Sequence, residues 1–230
     1  DYYFLFHVKR VDIVVCAKSD TLKITNTKNE EVCEMALDFD LARTALVVID
    51  VQDGIIRNGV TTPNDGETVI ARNNELAAAL KNPPAQIVLV RVKNDGTEGM
   101  NPVTDASHEV AKPLPDAATR LAMDIAADET ATNVTVVNKH NWGAFYGTDL
   151  DVQLRRRGID TIILTGIATS IGVDTTAREA AQHGYNLVLV PEAMTDRTDQ
   201  GHNASVEVIF PRLGKVRTIA EVLAAIEVAK

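Results

Sequence analysis

The sequence predicts an α/β protein built as a three-layer α/β/α sandwich, with helices on both faces of a parallel sheet. Three observations support this prediction. Apolar runs rich in Val and Ile recur along the chain, and such runs are typical of strands buried on both faces. Segments with helical periodicity fill the gaps between the runs. Most connections are short, and strand–helix alternation of this kind favours right-handed crossovers between parallel strands.

Six strands are predicted from residue 45 onward. The first, residues 45–51, is a continuous apolar run broken only by an acid near its end. The others share its β-branched character and cover residues 86–92, 134–137, 161–164, 186–190 and, as a short last candidate, 215–217.

Helical spacing of apolar residues predicts four helices, at residues 68–80, 149–157, 173–183 and 219–228. Gly158 and Gly184 directly follow the second and third helices, where glycine commonly ends a helix. Thr148, with Asp151 three residues later, predicts an acidic variant of the capping box at the start of the second helix.

Residues 1–40 differ from the rest and are predicted to form an extension to a domain at 41–230. Two short strands are expected at 2–6 and 11–16, followed by a polar segment. The extension is interpreted as a β extension, a packing arm or a poorly ordered tail, and no chemistry is assigned to it. Because the chain begins with Asp, a truncated or partly artificial start is a further interpretation.

Composition restricts the function classes. The formal net charge of −9 argues against binding to nucleic acid or to an anionic membrane, because both need clustered Lys and Arg. No apolar run has the length of a membrane span. The two cysteines, Cys16 and Cys33, are too few for a disulfide framework and favour a reduced, cytoplasmic setting.

Ionisable side chains lie at the ends of two predicted strands, and ligands of parallel sheets bind beyond these carboxyl ends. Asp50 ends the first strand and is interpreted either as a cap of the following turn or as an acid or base. Lys139 follows the third strand and is either a surface lysine or a group that holds Asp50 or a bound carboxylate. Arg91, at the end of the second strand, is either a second anion anchor or part of a structural ion pair.

Three further segments are candidates for a binding site. Trp142, Phe145 and Tyr146 lie within five residues of a chain with 4% aromatics, and they form either core or a pocket wall. Backbone N–H groups of segment 166–172 would suit an anion or a developing oxyanion. The long segment 94–115 is expected to be a lid or a disordered loop.

The sequence predicts no metal site and no cofactor site. The five histidines are scattered, and none pairs with an acid at ligand spacing behind a strand. The chain has no phosphate loop of the GxxxxGK[ST] type, and the segment after the first strand lacks the glycines of a dinucleotide fingerprint.

Taken together, three segments resemble the isochorismatase-like hydrolase superfamily from residue 41 to the C-terminus. These are residues 45–52, ending in Asp50, then Lys139 with residues 142–150, and finally 164–169 with 175–177. The resemblance implies a six-stranded sheet in the order 3-2-1-4-5-6 and homo-oligomers. It also implies a cis peptide between Ile167 and Ala168, with Ala168 and Thr169 binding the substrate.

The family's usual triad of Asp, Lys and Cys maps onto Asp50, Lys139 and Gly172. A glycine cannot form a covalent thiol intermediate, and the chain resembles those members that hydrolyse the vinyl ether of isochorismate. In that chemistry Asp50 is the general acid, and Lys139 either anchors a substrate carboxylate or orients Asp50. The substrate is therefore expected to be a small, anionic molecule.

Two alternatives remain at this point. One is a hydrolase of another small carbonyl, enol-ether or amide-like metabolite, and the other is an inactive family member that serves in binding or assembly. The active-site prediction requires Asp50 and Lys139 to lie within ion-pair or one-water distance, beside the turn at Gly172.

Overall fold

The structure is a computed structural model. It describes residues 37–59, 61–82, 84–94, 97, 104–105 and 113–230, together with the backbone of four strands within residues 2–33. The chain divides into two compact units, Asp1–Asp38 and Phe39–Lys230.

The first unit is a four-stranded antiparallel sheet in which consecutive strands are neighbours. Its strands are β1 (Tyr2–Val8), β2 (Val11–Lys18), β3 (Thr21–Asn26) and β4 (Asn29–Cys33). The two strands predicted here are present and longer than expected, and the polar segment after them supplies two more.

The second unit is built on a six-stranded parallel sheet. Its strands are β5 (Thr44–Ile49), β6 (Gln86–Val92), β7 (Val134–Lys139), β8 (Thr161–Ile167), β9 (Asn186–Thr195) and β10 (Lys215–Val216). The order across the sheet is β7-β6-β5-β8-β9-β10. Counted from β5 as first, this is the expected order 3-2-1-4-5-6, which is confirmed.

Helices cover both faces of this sheet. They are α1 (Asp53–Ile56), α2 (Gly66–Ala79), α3 (Leu150–Arg156), α4 (Asp174–Gln182), α5 (Asp199–Asn203), α6 (Phe210–Leu213) and α7 (Ile219–Ala229). Helices α2 and α7 pack together, and α4 packs on α6. Buried residues of α3, α4 and α6 form one core with alternate residues of the central strands. The predicted α/β/α sandwich is therefore confirmed.

The helix ends follow the predicted glycines but not the predicted cap. Gly158 and Gly184 follow α3 and α4 with φ of +70° and +85°, the left-handed region that glycine adopts at low cost. The capping box at Thr148 is wrong, because the Asp151 carboxylate binds Arg155 instead. The Thr148 hydroxyl does accept a hydrogen bond from the N–H of Leu150, at 3.1 Å.

Gly166 permits the close approach of the two central strands β5 and β8. A Cβ atom at this position would lie 2.1 Å from the carbonyl oxygen of Ile49, and the φ of Gly166 is +118°. The pairing of β8 with β9 also shifts in register between Leu164 and Gly166. Only glycine fits this combination of backbone conformation and contact.

Most of segment 94–115, the expected lid or loop, lies outside the described residues. Within the part of the chain that is described, no helix has the length and apolar character needed to cross a membrane.

Candidate active site

Asp50 and Lys139 form a buried ion pair at the carboxyl edge of the sheet. Oδ2 of Asp50 lies 2.8 Å from Nζ of Lys139, and the two side chains are 7% and 2% exposed. Asp50 directly follows β5, and Lys139 is the last residue of β7. The distance predicted between these two residues is confirmed.

The Asp50 carboxyl is held in an environment that favours its protonated form. Burial raises its pKa to about 6, although the ammonium of Lys139 lowers it. Its Oδ1 atom has no hydrogen-bond partner among the described residues. The backbone of Asp50 has a φ of +55°, which is uncommon outside glycine and turns the chain at the strand end.

The turn after Asp50 is fixed by the buried side chain of Gln52. Its amide nitrogen donates to the carbonyl oxygens of Val92 and Ala118, and its amide oxygen accepts from the N–H of Val92. These bonds join the end of β5 to the end of the neighbouring strand β6, so the carboxyl group lies on a rigid support.

All three N–H groups of the Lys139 ammonium have partners. Besides Asp50, Nζ donates to the carbonyl oxygens of Asn141 at 3.0 Å and Trp142 at 2.9 Å. A lysine has three donors and no acceptor, so no donor remains for a substrate. This arrangement favours orientation of Asp50, rather than anchoring of a substrate carboxylate, as the role of Lys139.

Gly172 lies in a wide helical turn, Thr169–Val173, that leads into α4. It is buried, and a Cβ atom there would lie 3.3 Å from Oδ2 of Asp50. The peptide bond between Ile167 and Ala168, just before this turn, is cis, as the resemblance implied. The expected position of the Asp50–Lys139 pair beside Gly172 is therefore confirmed.

Thr176 connects the Gly172 turn to the segment that follows β7. Its hydroxyl donates to the carbonyl oxygen of Gly172 at 2.6 Å and accepts from the N–H of Ala144 at 3.1 Å. Glu179, one helical turn later, accepts from the N–H of Phe145. One buried hydroxyl therefore sets the spacing between the glycine turn and the turn that holds the lysine.

A cavity of about 360 Å³ opens at this edge of the sheet. Its lining includes Asp50, Lys139, Trp142, Ala168, Gly172 and Arg197. Trp142 is 56% exposed and lies at the mouth of the cavity. The volume suits a small metabolite with a single ring.

Two of the three predicted aromatic residues do not line this cavity. Phe145 is buried in the core and stacks on His183 with ring centroids 5.0 Å apart. Tyr146, one residue later, is 74% exposed. The pocket-wall interpretation therefore holds only for Trp142, and Phe145 has the alternative role of core packing.

Arg91 is also absent from the cavity lining as the described residues form it. Its guanidinium donates to Oδ1 of Asn138 at 2.8 Å and to the carbonyl oxygen of Thr119 at 3.2 Å. These contacts tie strand β6 to its neighbours. Neither the anion anchor nor the ion pair expected for Arg91 is seen among the described residues.

Thr169 is not part of the cavity lining as the described residues form it. Its buried hydroxyl contacts the carbonyl oxygen of Thr195 and Nδ1 of His202, at 3.0 and 2.9 Å. Burial lowers the pKa of His202, although the carboxylates of Asp196 and Asp199 raise it. This position suits support of the turn rather than contact with a substrate.

Sequence reasoning missed the contribution of the segment after β9. The buried carboxylate of Asp196 accepts hydrogen bonds from the N–H groups of Ser170 and Arg197, each at 2.6 Å. The first bond fixes the turn that contains Gly172. The signal that could have located this segment is its position directly after a strand of a parallel sheet.

The described residues contain no group of three or more His, Cys, Asp or Glu that could hold a metal ion. The ionisable side chains that line the cavity in the described structure are Asp50, Lys139, His140 and Arg197.

Comparison with known proteins finds a match to the isochorismatase domain over residues 44–221. The chain is 41% identical to an uncharacterized isochorismatase family protein, YecD, of Escherichia coli O157:H7, over 83% of this chain and 100% of that protein. A solved isochorismatase family protein from Burkholderia thailandensis is also 41% identical, with a TM-score of 0.74 over 84% of this chain and 98% of that chain.

A shorter match is found with maleamate amidohydrolase of Pseudomonas putida. The two chains are 35% identical over 83 residues, which is 36% of this chain and 39% of that enzyme.

Proposed function

The chain belongs to the isochorismatase family and is an isochorismatase-like hydrolase, and we propose that it hydrolyses a small anionic enol ether with Asp50 as proton donor. Isochorismate is the substrate we propose. One observation carries this proposal, which is the buried Asp50 carboxyl with raised pKa beside Gly172, where a side-chain nucleophile is absent.

The reaction begins with transfer of the Asp50 proton to the methylene carbon of the enolpyruvyl group. The electron pair of the carbon–carbon double bond forms the new C–H bond, and an oxocarbenium ion remains. With a pKa of about 6, roughly a tenth of the carboxyl groups are protonated at pH 7, which is enough for a general acid.

Water is the only nucleophile that this mechanism requires. A water molecule adds to the oxocarbenium carbon and returns a proton to the Asp50 carboxylate. The hemiketal then collapses as its carbon–oxygen bond to the ring breaks and the ring oxygen takes the hydroxyl proton. The products are pyruvate and a dihydrodiol, and Asp50 is protonated again.

Lys139 and Thr176 act in this scheme as positioning residues. The Lys139 ammonium holds Oδ2 of Asp50, which leaves Oδ1 as the atom without a protein partner in the described structure. Thr176 keeps the Gly172 turn against this carboxyl group.

The test is pyruvate release from isochorismate by the purified protein, compared with the Asp50→Asn variant. We expect the variant to lose roughly 100- to 10,000-fold in rate, the range of a lost general acid. Asp149→Asn is the matched control, because Asp149 is exposed and its carboxylate binds Gln153, its one partner in the described part of the chain. Circular dichroism verifies the fold. Absence of pyruvate from the wild-type reaction would reject isochorismate as the substrate.

A second candidate, hydrolysis of a small amide, is favoured by the likeness to maleamate amidohydrolase. Without a thiol, the Asp50 carboxylate would act as a general base on water. The two reactions need opposite forms of Asp50. Amide hydrolysis should therefore accelerate as pH rises through about 6, whereas enol-ether hydrolysis should slow. The pH dependence of turnover separates the two candidates.

We also propose that the chain forms homo-oligomers, as the family resemblance implies. Sedimentation velocity at several protein concentrations measures this directly. A monomer at all concentrations would reject the proposal.

A further inference from the structure

Among the described residues, one lysine and one arginine line the cavity, Lys139 and Arg197. The lysine has no donor left for a ligand, because its three N–H groups bind Asp50 and two backbone carbonyls. Of these two cations, Arg197 is therefore the one that can bind a carboxylate that enters the cavity.

Arg197 has such donors available. Its guanidinium binds two neutral acceptors, the carbonyl oxygens of Asn58 at 2.9 Å and Ile55 at 3.2 Å. In the described part of the chain no carboxylate lies within ion-pair distance of it. An arginine has five N–H donors in a fixed fork, so three remain after these two bonds.

The two carbonyl contacts also orient the guanidinium. Both belong to the segment that follows Asp50, whereas Arg197 follows β9, two strands away from β5 in the sheet. A guanidinium held by neutral acceptors keeps its full charge and loses part of its rotational freedom before a ligand arrives. This is the preorganisation that bidentate binding of a carboxylate requires.

From these contacts we propose that Arg197 is the specificity-determining residue of the cavity and binds the carboxylate of the substrate. The inference rests on the proposed function and deepens it, since it assigns the substrate to the class of small ring carboxylates and names the group that selects them.

The charges of the cavity favour the same conclusion. When Asp50 carries its proton, Lys139 loses its counter-charge, and the described lining has two positive groups. A bound carboxylate compensates for this excess. Its negative charge in turn disfavours ionisation of Asp50, because a nearby like charge stabilises the neutral form of a carboxyl group. Substrate binding at Arg197 and proton retention at Asp50 therefore support each other.

The experiment measures binding of two probes of nearly equal shape, benzoate and benzamide, by isothermal titration calorimetry. The proteins are the wild type, Arg197→Gln, Arg197→Lys and the control Arg72→Gln, whose arginine is exposed on α2 and pairs with Glu75. We expect the wild type and the control to bind benzoate at least about tenfold more tightly than benzamide. Arg197→Gln should lose this preference with little change in benzamide affinity.

Arg197→Lys keeps the charge without the planar fork and should retain only part of the preference. The lysine variant keeps the positive charge at this position and so disturbs the fold less. It therefore tests the proposal even if Arg197→Gln does not fold. Equal wild-type affinity for the two probes, or an unchanged preference in Arg197→Gln, would overturn the proposal.

The result of this binding experiment can be distinguished from the result of the pyruvate assay that tests the proposed function. A benzoate preference that depends on Arg197, together with no pyruvate release from isochorismate, would reject the enol-ether reaction and retain the carboxylate site. Pyruvate release, together with a preference for benzoate that persists in Arg197→Gln, would retain the enol-ether reaction and reject the carboxylate site.

Discussion

Nζ of Lys139 lies 2.8 Å from Oδ2 of Asp50, and the same nitrogen binds the carbonyl oxygens of Asn141 and Trp142. The lysine therefore connects the end of β7 to the acid at the end of β5. Removing either partner leaves the other buried without its counter-charge, which is more costly than loss of a surface pair. Two predictions follow from the opposing effects of burial and this ion pair on the pKa of Asp50.

The first prediction concerns the pH dependence of turnover. Because the proposed reaction needs the protonated form of Asp50, kcat/KM for isochorismate should fall as pH rises above about 6. Lys139 lowers the pKa of Asp50, so Lys139→Met should be slower overall but retain activity to higher pH. Lys81→Met, which removes a surface pair with Asp128, should leave the profile unchanged. A profile that moves to lower pH in Lys139→Met would contradict the assignment.

The second prediction concerns stability. The folded chain holds the Asp50 proton more tightly than the unfolded chain does, since its pKa is about 6 against 3.8. The contribution of Asp50 to the free energy of unfolding is therefore fully present below about pH 4 and lost as pH rises through 6. The loss amounts to about 3 kcal/mol for a pKa difference of about 2.

Urea unfolding of the wild type and Asp50→Asn between pH 4 and 7.5 measures this contribution as a difference. Carboxyl groups with lowered pKa act in the opposite direction, such as Asp128, whose hydrogen bond with Lys81 lowers its pKa to about 2. These groups are common to both proteins and cancel in the difference. A difference that does not vary with pH would show that Asp50 ionises as it does in the unfolded chain.

The third prediction concerns Gly172. In Gly172→Ala the added methyl group would lie 3.1 Å from Cγ2 of Ile49 and 3.3 Å from Oδ2 of Asp50. We expect kcat to fall at least about tenfold and stability to fall by about 1 kcal/mol, because the methyl group overpacks the site and displaces the carboxyl group.

Gly158→Ala is the control for this variant, because Gly158 has a φ of +70° and open space around it. The substitution costs about 1 kcal/mol of backbone strain far from the cavity and should leave kcat unchanged. Equal activity in Gly172→Ala and Gly158→Ala would show that the space beside Asp50 has no role in catalysis.

The fourth prediction concerns Thr176, which joins Gly172 to Ala144 through one hydroxyl group. Thr176→Val preserves the shape but leaves the buried N–H of Ala144 without the hydroxyl that accepts from it, at a cost of about 1–3 kcal/mol. We expect kcat to fall more than KM rises, because the positions of both turns change. Thr176→Ser restores the hydroxyl group and should recover most of the activity. If the serine variant is as slow as the valine variant, loss of the hydroxyl hydrogen bonds does not explain the fall in kcat.

The strands of the main sheet were predictable because runs of β-branched residues mark them. The residues at which the strands end were not predictable. Strand β8 continues past Leu164 through Thr165 and Gly166, which are buried although one is polar and the other lacks a side chain. Strand β9 continues past Val190 through Pro191 and Glu192, because β8 pairs with it again after the register shift. Long-range pairing, rather than local sequence, decides both ends.

The positions of Asp50 and Lys139 were predictable for a related reason. Residues that end parallel strands meet at one edge whatever the loops do, so two strand-end charges can be placed together from sequence. The contacts of Arg197 could not be foreseen, because its partners Ile55 and Asn58 lie more than a hundred residues earlier in the chain.

The aromatic segment illustrates a different limit. Phe145 and Tyr146 are adjacent, and sequence alone does not indicate which of two neighbouring rings enters the core. The choice is made by Glu179, which binds the N–H of Phe145, and by the stacking of Phe145 on His183. Both contacts come from helix α4 and its C-terminal end, so the outcome depends on how this helix packs.

The contact of Gly166 with Ile49 has a consequence for how new activities could evolve on this chain. Ile49 precedes the acid, and Gly166 lies one residue before the cis peptide bond, so this contact between the two central strands lies directly beside the candidate site. Mutations there would damage folding and turnover together. Adaptation to other substrates is left to exposed rim positions such as Trp142 and Arg197, where laboratory evolution libraries should concentrate their diversity.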